Sequence, residues 1–343
     1  MCAASVLVVD DSMTMRALIK HALSRDPEIR VVGEASNPFE ARTKMKELDP
    51  DVVTLDVEMP NMNGIEFLEK IMTLRPTPVI MVSNLTAPGA AATLAALEIG
   101  AFDCVAKPSA RENMFESLPG MIKEAARAKP GMAKRWNSGP QRINVSPRET
   151  ARPQRAARMP ELIAIGSSTG GVEALMQVLS EFPADCPPTL IVQHLPAAFT
   201  TSFAARLDRA SRATVVEAKG GESLMPGHIY LAPGGERHML LKSGSRPSIA
   251  LVEGATVSGH RPSVDVLFSS IAKGFKGEAC GLILTGMGRD GAQGLLEMRQ
   301  SGAQTLGQDE ETSLVYGMPR VAFEIGAVTR QLPLNKVAKY IFS

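Results

Sequence analysis

From residue 6 to about residue 126, short apolar runs alternate with stretches of helical period, and the runs Val6–Val9, Arg30–Gly33, Val52–Leu55, Val79–Val82 and Cys104–Val105 read as strands. Nearly continuous apolar strands belong to a parallel sheet buried on both faces, so five strands and five helices form a doubly wound domain with ligands at the carboxyl ends of its strands. The alternation resumes at Glu161, with Leu162–Ile165, Leu190–Gln193, Val215–Glu217, Ile249–Val252 and Leu282–Leu284 as strands of a second doubly wound sheet. The Gly-rich stretches Lys219–Glu222 and Pro233–Glu236 are expected to turn a small β-hairpin region rather than to bind phosphate.

Between the two, the pattern fails. Pro130, Pro140, Pro147 and Pro153 interrupt it, and residues 127–159 hold nine basic residues against Glu149 alone. The chain therefore divides into 1–126, a basic linker at 127–159, and 160–343. The linker reads as a solvated tether, although an acidic surface would attract it.

Composition narrows the function classes. Apolar residues make up 44% and charged residues 21%, as in folded globular domains. Lys and Arg total 37 against 36 acidic residues, so no global charge draws the molecule to nucleic acid, and no helix-turn-helix module follows the linker. Cys2, Cys104, Cys186 and Cys280 are far apart, which argues against a zinc module or a disulfide framework and for a reducing compartment. With no signal peptide and no run of ~18 apolar residues, a cytoplasmic protein without membrane insertion is expected.

Asp10 and Asp11 end the first strand and Asp56 ends the third, which brings three carboxylates to one sheet edge. Their repulsion calls for a hard divalent cation, with Mg²⁺ the expected one and Asp10, Asp11 and Asp56 its ligands. Asp56 is then a nucleophile for a phosphoryl group, with Lys107 neutralising charge and the Ser83 hydroxyl bonding the product. The stretches VLVVDDS, LDVEMPNMNG, MVS and AKP, in that order, resemble the two-component receiver domain, whose fold is flavodoxin-like. The resemblance implies phosphorylation at Asp56 by a histidine kinase. A cis bond at Lys107–Pro108 would aim the lysine inward. Receivers usually carry an aromatic residue where this chain has Cys104.

Leu162 to Glu173 reads as strand, small-residue turn and helix start. A phosphate-binding turn and a serine nucleophile compete for it, but GSSTGG lacks both the GxGxxG spacing and a Walker lysine. A serine needs a positioned imidazole and an acid; His194 and Asp290 each follow a strand. AIGSSTGG, IVQHLP, HRPSVDVLF and LTGMGRDGA resemble the catalytic domain of the chemotaxis protein-glutamate methylesterases, a Rossmann-like serine hydrolase. That resemblance implies Ser168 as nucleophile, His194 as base, Asp290 as orienting acid and the Met287 amide as oxyanion donor, with Ser167 a turn residue. It further implies hydrolysis of γ-glutamyl methyl esters on chemoreceptors, releasing methanol, with glutamine deamidation as a secondary activity and no cofactor in this half. The tethered receiver is expected to inhibit the esterase until Asp56 is phosphorylated. His228 and His238 are expected at a polar surface. His260 lies where a helix starts beside the substrate cleft.

Overall fold

The computed structural model describes residues 3–59, 63–84, 86–108, 115–137, 159–244 and 246–343. In the first unit, β1 (Ala4–Val9), α1 (Met13–Leu23), β2 (Ile29–Ala35), α2 (Pro38–Leu48), β3 (Val52–Asp56), α3 (Gly64–Leu74), β4 (Val79–Ser83), α4 (Ala87–Ile99), β5 (Asp103–Ala106) and α5 (Leu118–Asn137) alternate as expected. Each of the first four helices starts on a side-chain cap. Ser12, Asn37, Asn63 and Thr86 accept the amides of Met15, Glu40, Glu66 and Gly89, which satisfies donors that lack an intrahelical partner. All pairings are parallel in the order β2-β1-β3-β4-β5, and every residue of β3 and β4 is buried. The order reverses direction between β1 and β3, where a doubly wound sheet opens its ligand crevice. Helix α5 continues to Asn137, past the Arg127 at which the sequence reading begins the linker; residues 138–158 lie outside the described residues.

The second unit comprises β6 (Leu162–Ser167), α6 (Gly171–Ser180), β7 (Thr189–Gln193), α7 (Ala197–Ala210), β8 (Thr214–Glu217), β9 (His228–Leu231), β10 (Arg237–Lys242), β11 (Ser248–Glu253), α8 (Val264–Gly274), β12 (Ala279–Ile283), α9 (Ala292–Gln300), β13 (Gln304–Gln308), α10 (Met318–Glu324), β14 (Arg330–Leu332) and α11 (Leu334–Ile341). Seven strands pair in parallel in the order β14-β13-β12-β6-β7-β9-β8. The chain builds outward from β6 in both directions, so β6 sits beside the point where the order switches. The run Ile249–Val252 departs from expectation: it lies in β11, which pairs antiparallel with β10 apart from the main sheet. Its burial alternates only in part: Met239, Leu241 and Ile249 are buried and Arg237, Lys242 and Glu253 exposed, but His238 is buried beside Met239. Its turn falls between Lys242 and Ser248, and the two Gly-rich stretches lead into the hairpin region without forming that turn.

The two units pack together through the receiver-like half's α4 and β5. Helix α4 lies against α7 and α6. The Arg206 guanidinium on α7 makes a two-pronged pair with Glu98 on α4, its Nε donating at 2.7 Å. The Thr169 hydroxyl, between β6 and α6, donates to the half-buried Asp103 carboxylate on β5. Met287 reaches the start of α5, where a Cβ at Gly120 would stand 3.1 Å from its Cε.

Candidate active site and phosphoacceptor site

Strands β12, β6 and β7 are neighbours, and their carboxyl ends bring Asp290, Ser168 and His194 to one place. After β6 the chain turns through Ser168, Thr169 and Gly170 into α6. Gly170 has φ +78°, a left-handed conformation, and a Cβ there would also stand 2.7 Å from Leu314. The turn is tightly held: Ser168 N–H donates to Thr285 O at 3.0 Å, and Ser168 O accepts from Gly171 N at 2.7 Å and Gln193 Nε2 at 2.9 Å.

The two adjacent serines differ in what their hydroxyls do. Ser167 is wholly buried and donates to Gln193 Oε1 at 2.6 Å. Ser168 lies at the edge of exposure, and among the described residues its hydroxyl makes no hydrogen bond. The rigid turn thus leaves one hydroxyl uncommitted at the N-terminal end of α6, where unpaired amides favour negative charge.

His194 Nε2 donates to Asp290 Oδ2 at 2.9 Å. Its Nδ1 is buried without a partner among the described residues, so this tautomer keeps Nδ1 as the acceptor. The His194 backbone amide donates to Ser167 O at 3.1 Å, which ties the imidazole to the serine turn. Asp290 is buried against the start of α8. Oδ1 accepts from Ser263 Oγ at 2.7 Å and Asp265 N at 3.1 Å; Oδ2 also accepts from Val264 N at 2.7 Å. Burial pushes its carboxyl up, but the His194 hydrogen bond and charge, with Ser263 and Val264 donating, hold it below the usual range. Asp290 is therefore a fixed carboxylate.

The backbone of Gly286 closes on the serine. A Cβ there would come within 2.3 Å of Met318 Sδ and 2.8 Å of Ser168 Cβ, so only glycine fits between them. The next amide, that of Met287, donates no hydrogen bond among the described residues. It is available to a developing oxyanion.

His260 is a residue that the motif reading placed only near the cleft. Its ring stacks on His194 with centroids 3.7 Å apart and planes 8° from parallel. Burial and the charge of His194 outweigh the opposing pull of Asp290 and push its pKa down to about 4. It stays neutral above that pH. The same loop supplies Ser263, which is buried, holds Asp290 and caps α8, so it is no rival nucleophile. His238 is also not the surface residue expected: it is buried, accepts from Ser263 N at 3.1 Å and donates to Ala255 O at 2.9 Å. Only a knowledge of its distant partners would have revealed this.

At the first sheet's switch point, ligand atoms of Asp10, Asp11 and Asp56 lie within 4.8 Å of one another. Lys107 Nζ stands 2.8 Å from Asp56 Oδ2 and 3.2 Å from Asp10 Oδ2, reached without a cis bond at Pro108; among the described residues the cis peptide is Arg261–Pro262. Both carboxylate oxygens are ion-paired yet lack an aligned hydrogen bond. Burial raises the Asp56 pKa to about 6, with Lys107 opposing and Asp10 adding to the rise. Buried oxygens short of donors, beside a third carboxylate, fit a hard divalent cation. Ser83 stands at the end of β4 as expected, but its hydroxyl donates to Asn84 O at 3.2 Å and Gly89 O at 3.4 Å in the first turn of α4. Cys104 is a buried thiol, pushed well up by burial and by Asp103, and Phe102 is buried as well.

Residues 163–341 match the family described as CheB methylesterase, and residues 6–119 match the response regulator receiver domain. A protein-glutamate methylesterase/protein-glutamine glutaminase of Rhizobium etli is 59% identical over 98% of this chain and 95% of its own length. A Caulobacter vibrioides protein of the same description is 58% identical over 98% of this chain and 96% of its own. The solved catalytic domain of the Thermotoga maritima CheB methylesterase is 36% identical, with a TM-score of 0.52, and covers 53% of this chain and 97% of that one. With its serine, histidine and aspartate converging behind a receiver sheet, the chain belongs to the CheB methylesterase family and carries a response regulator receiver domain.

Proposed function

We propose that this protein removes methyl groups from γ-glutamyl esters on the cytoplasmic helices of chemoreceptors, under control of phosphorylation at Asp56. The observation that carries the esterase reading is the Ser168 hydroxyl, free of hydrogen bonds among the described residues, on the strand end next to an imidazole anchored by Asp290, while the Ser167 hydroxyl is spent on Gln193. Ser168 Oγ attacks the ester carbonyl and its proton passes to His194 Nδ1. The oxyanion faces the Met287 amide. On collapse His194 returns the proton to the departing methoxide, giving methanol, and a water attacks the acyl-serine by the same route to restore glutamate. Receptor glutamine is a slower substrate, since an amide is the poorer acyl donor. Release of labelled methanol from a methyl-labelled receptor tests the assignment. Ser167→Ala should retain most of that activity; a dead Ser167→Ala beside an active Ser168→Ala would reverse the two serines.

His260 serves as a positioning residue for the His194 ring. His260→Ala should lower kcat about tenfold, as displaced catalytic groups do, whereas His260→Phe should keep the stack and most of the rate. Because the lowered pKa leaves His260 neutral above pH 5, His260→Phe should not change the shape of the pH–rate profile between pH 5 and 9. A lost ionisation in that window would assign the titrating group to His260.

In the receiver unit, Asp10, Asp11 and Asp56 would hold Mg²⁺, which supplies charge neutralisation for phosphoryl transfer. Asp56 accepts the phosphoryl group from a histidine kinase while Lys107 stays beside it. Asp56→Asn should abolish labelling by an acyl phosphate, and chelator should do the same to the unaltered chain. Stable labelling in either case would overturn the site.

Three observations support inhibition by the receiver unit (residues 1–126) of the catalytic unit (160–343). Asp103 holds Thr169 next to the nucleophile, Glu98 holds Arg206, and the Ser83 hydroxyl is bonded to the turn that begins α4. Phosphorylated Asp56 would draw Ser83 away from α4 and Lys107 at the end of β5 toward the phosphoryl oxygens, loosening both contacts. About 1.4 kcal/mol of differential affinity changes the open-to-closed ratio tenfold. A fragment spanning 160–343, and the Glu98→Ala/Asp103→Ala double variant, should exceed the unphosphorylated whole chain in turnover by about that factor. Cys104→Ala should leave the response to phosphorylation largely intact and Ser83→Ala should blunt it. Equal turnover by fragment, whole chain and phosphorylated chain would rule the arrangement out. A histidine-kinase phosphodonor and the cytoplasmic helices of a receptor as substrate would both be met in the cytoplasm; no described helix is long and apolar enough to cross a membrane.

A further inference from the structure

Helix α3 packs against α4 but not closely against α2, and the gap between α2 and α3 is a groove of about 530 Å³. Met45, Phe67 and Ile71 form its buried floor. Its walls are Phe39 and Leu74, which are 65% and 75% exposed, an unusual degree for large apolar side chains facing each other across a cleft. Every charged side chain that lines the groove is cationic: Arg42, Lys46, Lys70 and Arg75. Arg75 is held at one end by Asp49 at 2.8 Å and by Met45 O at 3.0 Å. The acidic residues of these helices lie elsewhere, with Glu40 turned to Lys44 and to Ser36.

We propose that this groove is a docking site for an acidic amphipathic helix of a partner protein. The lining residues run from Pro38 to Lys46 on α2 and from Phe67 on α3 to Arg75 at its C-cap, about 13 Å at 1.5 Å per residue. That length accommodates two to three turns of a helix with apolar residues at i, i+3, i+4 and i+7 seated between Phe39 and Leu74, and Asp or Glu on its flanks facing Arg42 and Lys46. The chain's own 127–159 segment, with nine basic residues to one acidic, has the wrong charge to occupy it. The contacts with the esterase unit use α4, β5 and the start of α5, so an occupant of the α2/α3 groove would not compete with them. Docking there tethers the enzyme without opening it.

Fluorescence anisotropy with the full chain tests this, using a labelled 14-residue helix with Leu at heptad a and d positions and Glu elsewhere, and a second peptide with Lys in place of every Glu. The Glu peptide should bind at least tenfold more tightly than the Lys peptide, and more weakly as salt rises. Arg42→Glu/Lys46→Glu should reverse the preference, and Phe39→Ser/Leu74→Ser should weaken the Glu peptide at least tenfold. All four positions are exposed, and esterase turnover equal to that of the unaltered chain verifies folding. Equal binding of the two peptides, or binding indifferent to both double variants, overturns the proposal. So does concentration-dependent self-association in sedimentation that Phe39→Ser/Leu74→Ser abolishes, which would make the occupant a second copy. Binding to phosphatidylglycerol vesicles lost in the same variants, with none to the Glu peptide, would replace the partner helix by a lipid surface.

Discussion

Ser168→Ala is expected to reduce methanol release from a methylated receptor by at least about 10⁴-fold with little change in receptor binding, because the acyl-serine route is lost and only oxyanion and binding contributions remain. The fold should survive the change. The Ser168 hydroxyl makes no hydrogen bond among the described residues, while the backbone bonds that set the turn run through Ser168 N and Ser168 O and are untouched. Thermal unfolding should therefore shift by no more than a few degrees. Ser168→Cys offers a second check, since a thiolate can still be acylated. Trapping of labelled receptor fragment on the cysteine would confirm covalent catalysis, and full turnover by Ser168→Ala would end the nucleophile assignment.

Asp290→Asn should cost about 10⁴-fold in kcat, the scale set by losing the acid that fixes a catalytic imidazole. The geometry explains why the isosteric change is so damaging. All four partners of this carboxylate are donors: His194 Nε2 and Val264 N on Oδ2, Ser263 Oγ and Asp265 N on Oδ1. An amide must point its NH₂ at one pair. Turned to His194, it forces the proton onto Nδ1, where it blocks acceptance from Ser168. Turned to Ser263 and Asp265, it opposes the start of α8 and costs about 1–3 kcal/mol in unmade hydrogen bonds. Ser263→Ala removes a single donor and should cost far less, about tenfold. Near-normal kcat in Asp290→Asn would mean that another acid orients His194.

The strand ends were legible because the chemistry of this fold is local in sequence. Apolar runs stop at Asp10, Asp56, Ser83, Ser168 and His194, and the helices that follow begin on Ser12, Asn63 and Thr86 or on the glycines after Ser168. Strands β9, β10, β13 and β14 have no counterpart among the apolar runs read from the sequence. β13 is Gln-Thr-Leu-Gly-Gln, polar in sequence yet mostly buried, because Gln308 Oε1 accepts Thr285 N at 2.7 Å and Thr305 pairs with Thr329. A polar side chain satisfied by a partner far along the chain looks like surface when only its neighbours are considered.

The amino-acid sequence by itself determined two α/β units, the carboxylates, serine, histidine and lysine at their strand ends, and the resemblance that assigned roles to them. Such features depend on local period, turn residues and the order of short motifs. Tertiary structure alone decided that β12 lies beside β6, bringing Asp290 to His194 across 96 residues, and that the Ser167 hydroxyl, not that of Ser168, is committed to Gln193. It also decided that His260 stacks on His194, that His238 is buried, that Ser83 is turned to α4, and that Asp103 of one unit holds Thr169 of the other. Each of these is a contact between elements that no local pattern links. Its geometry follows from how whole sheets and helices bury their faces, and no residue's neighbours in the chain record that outcome.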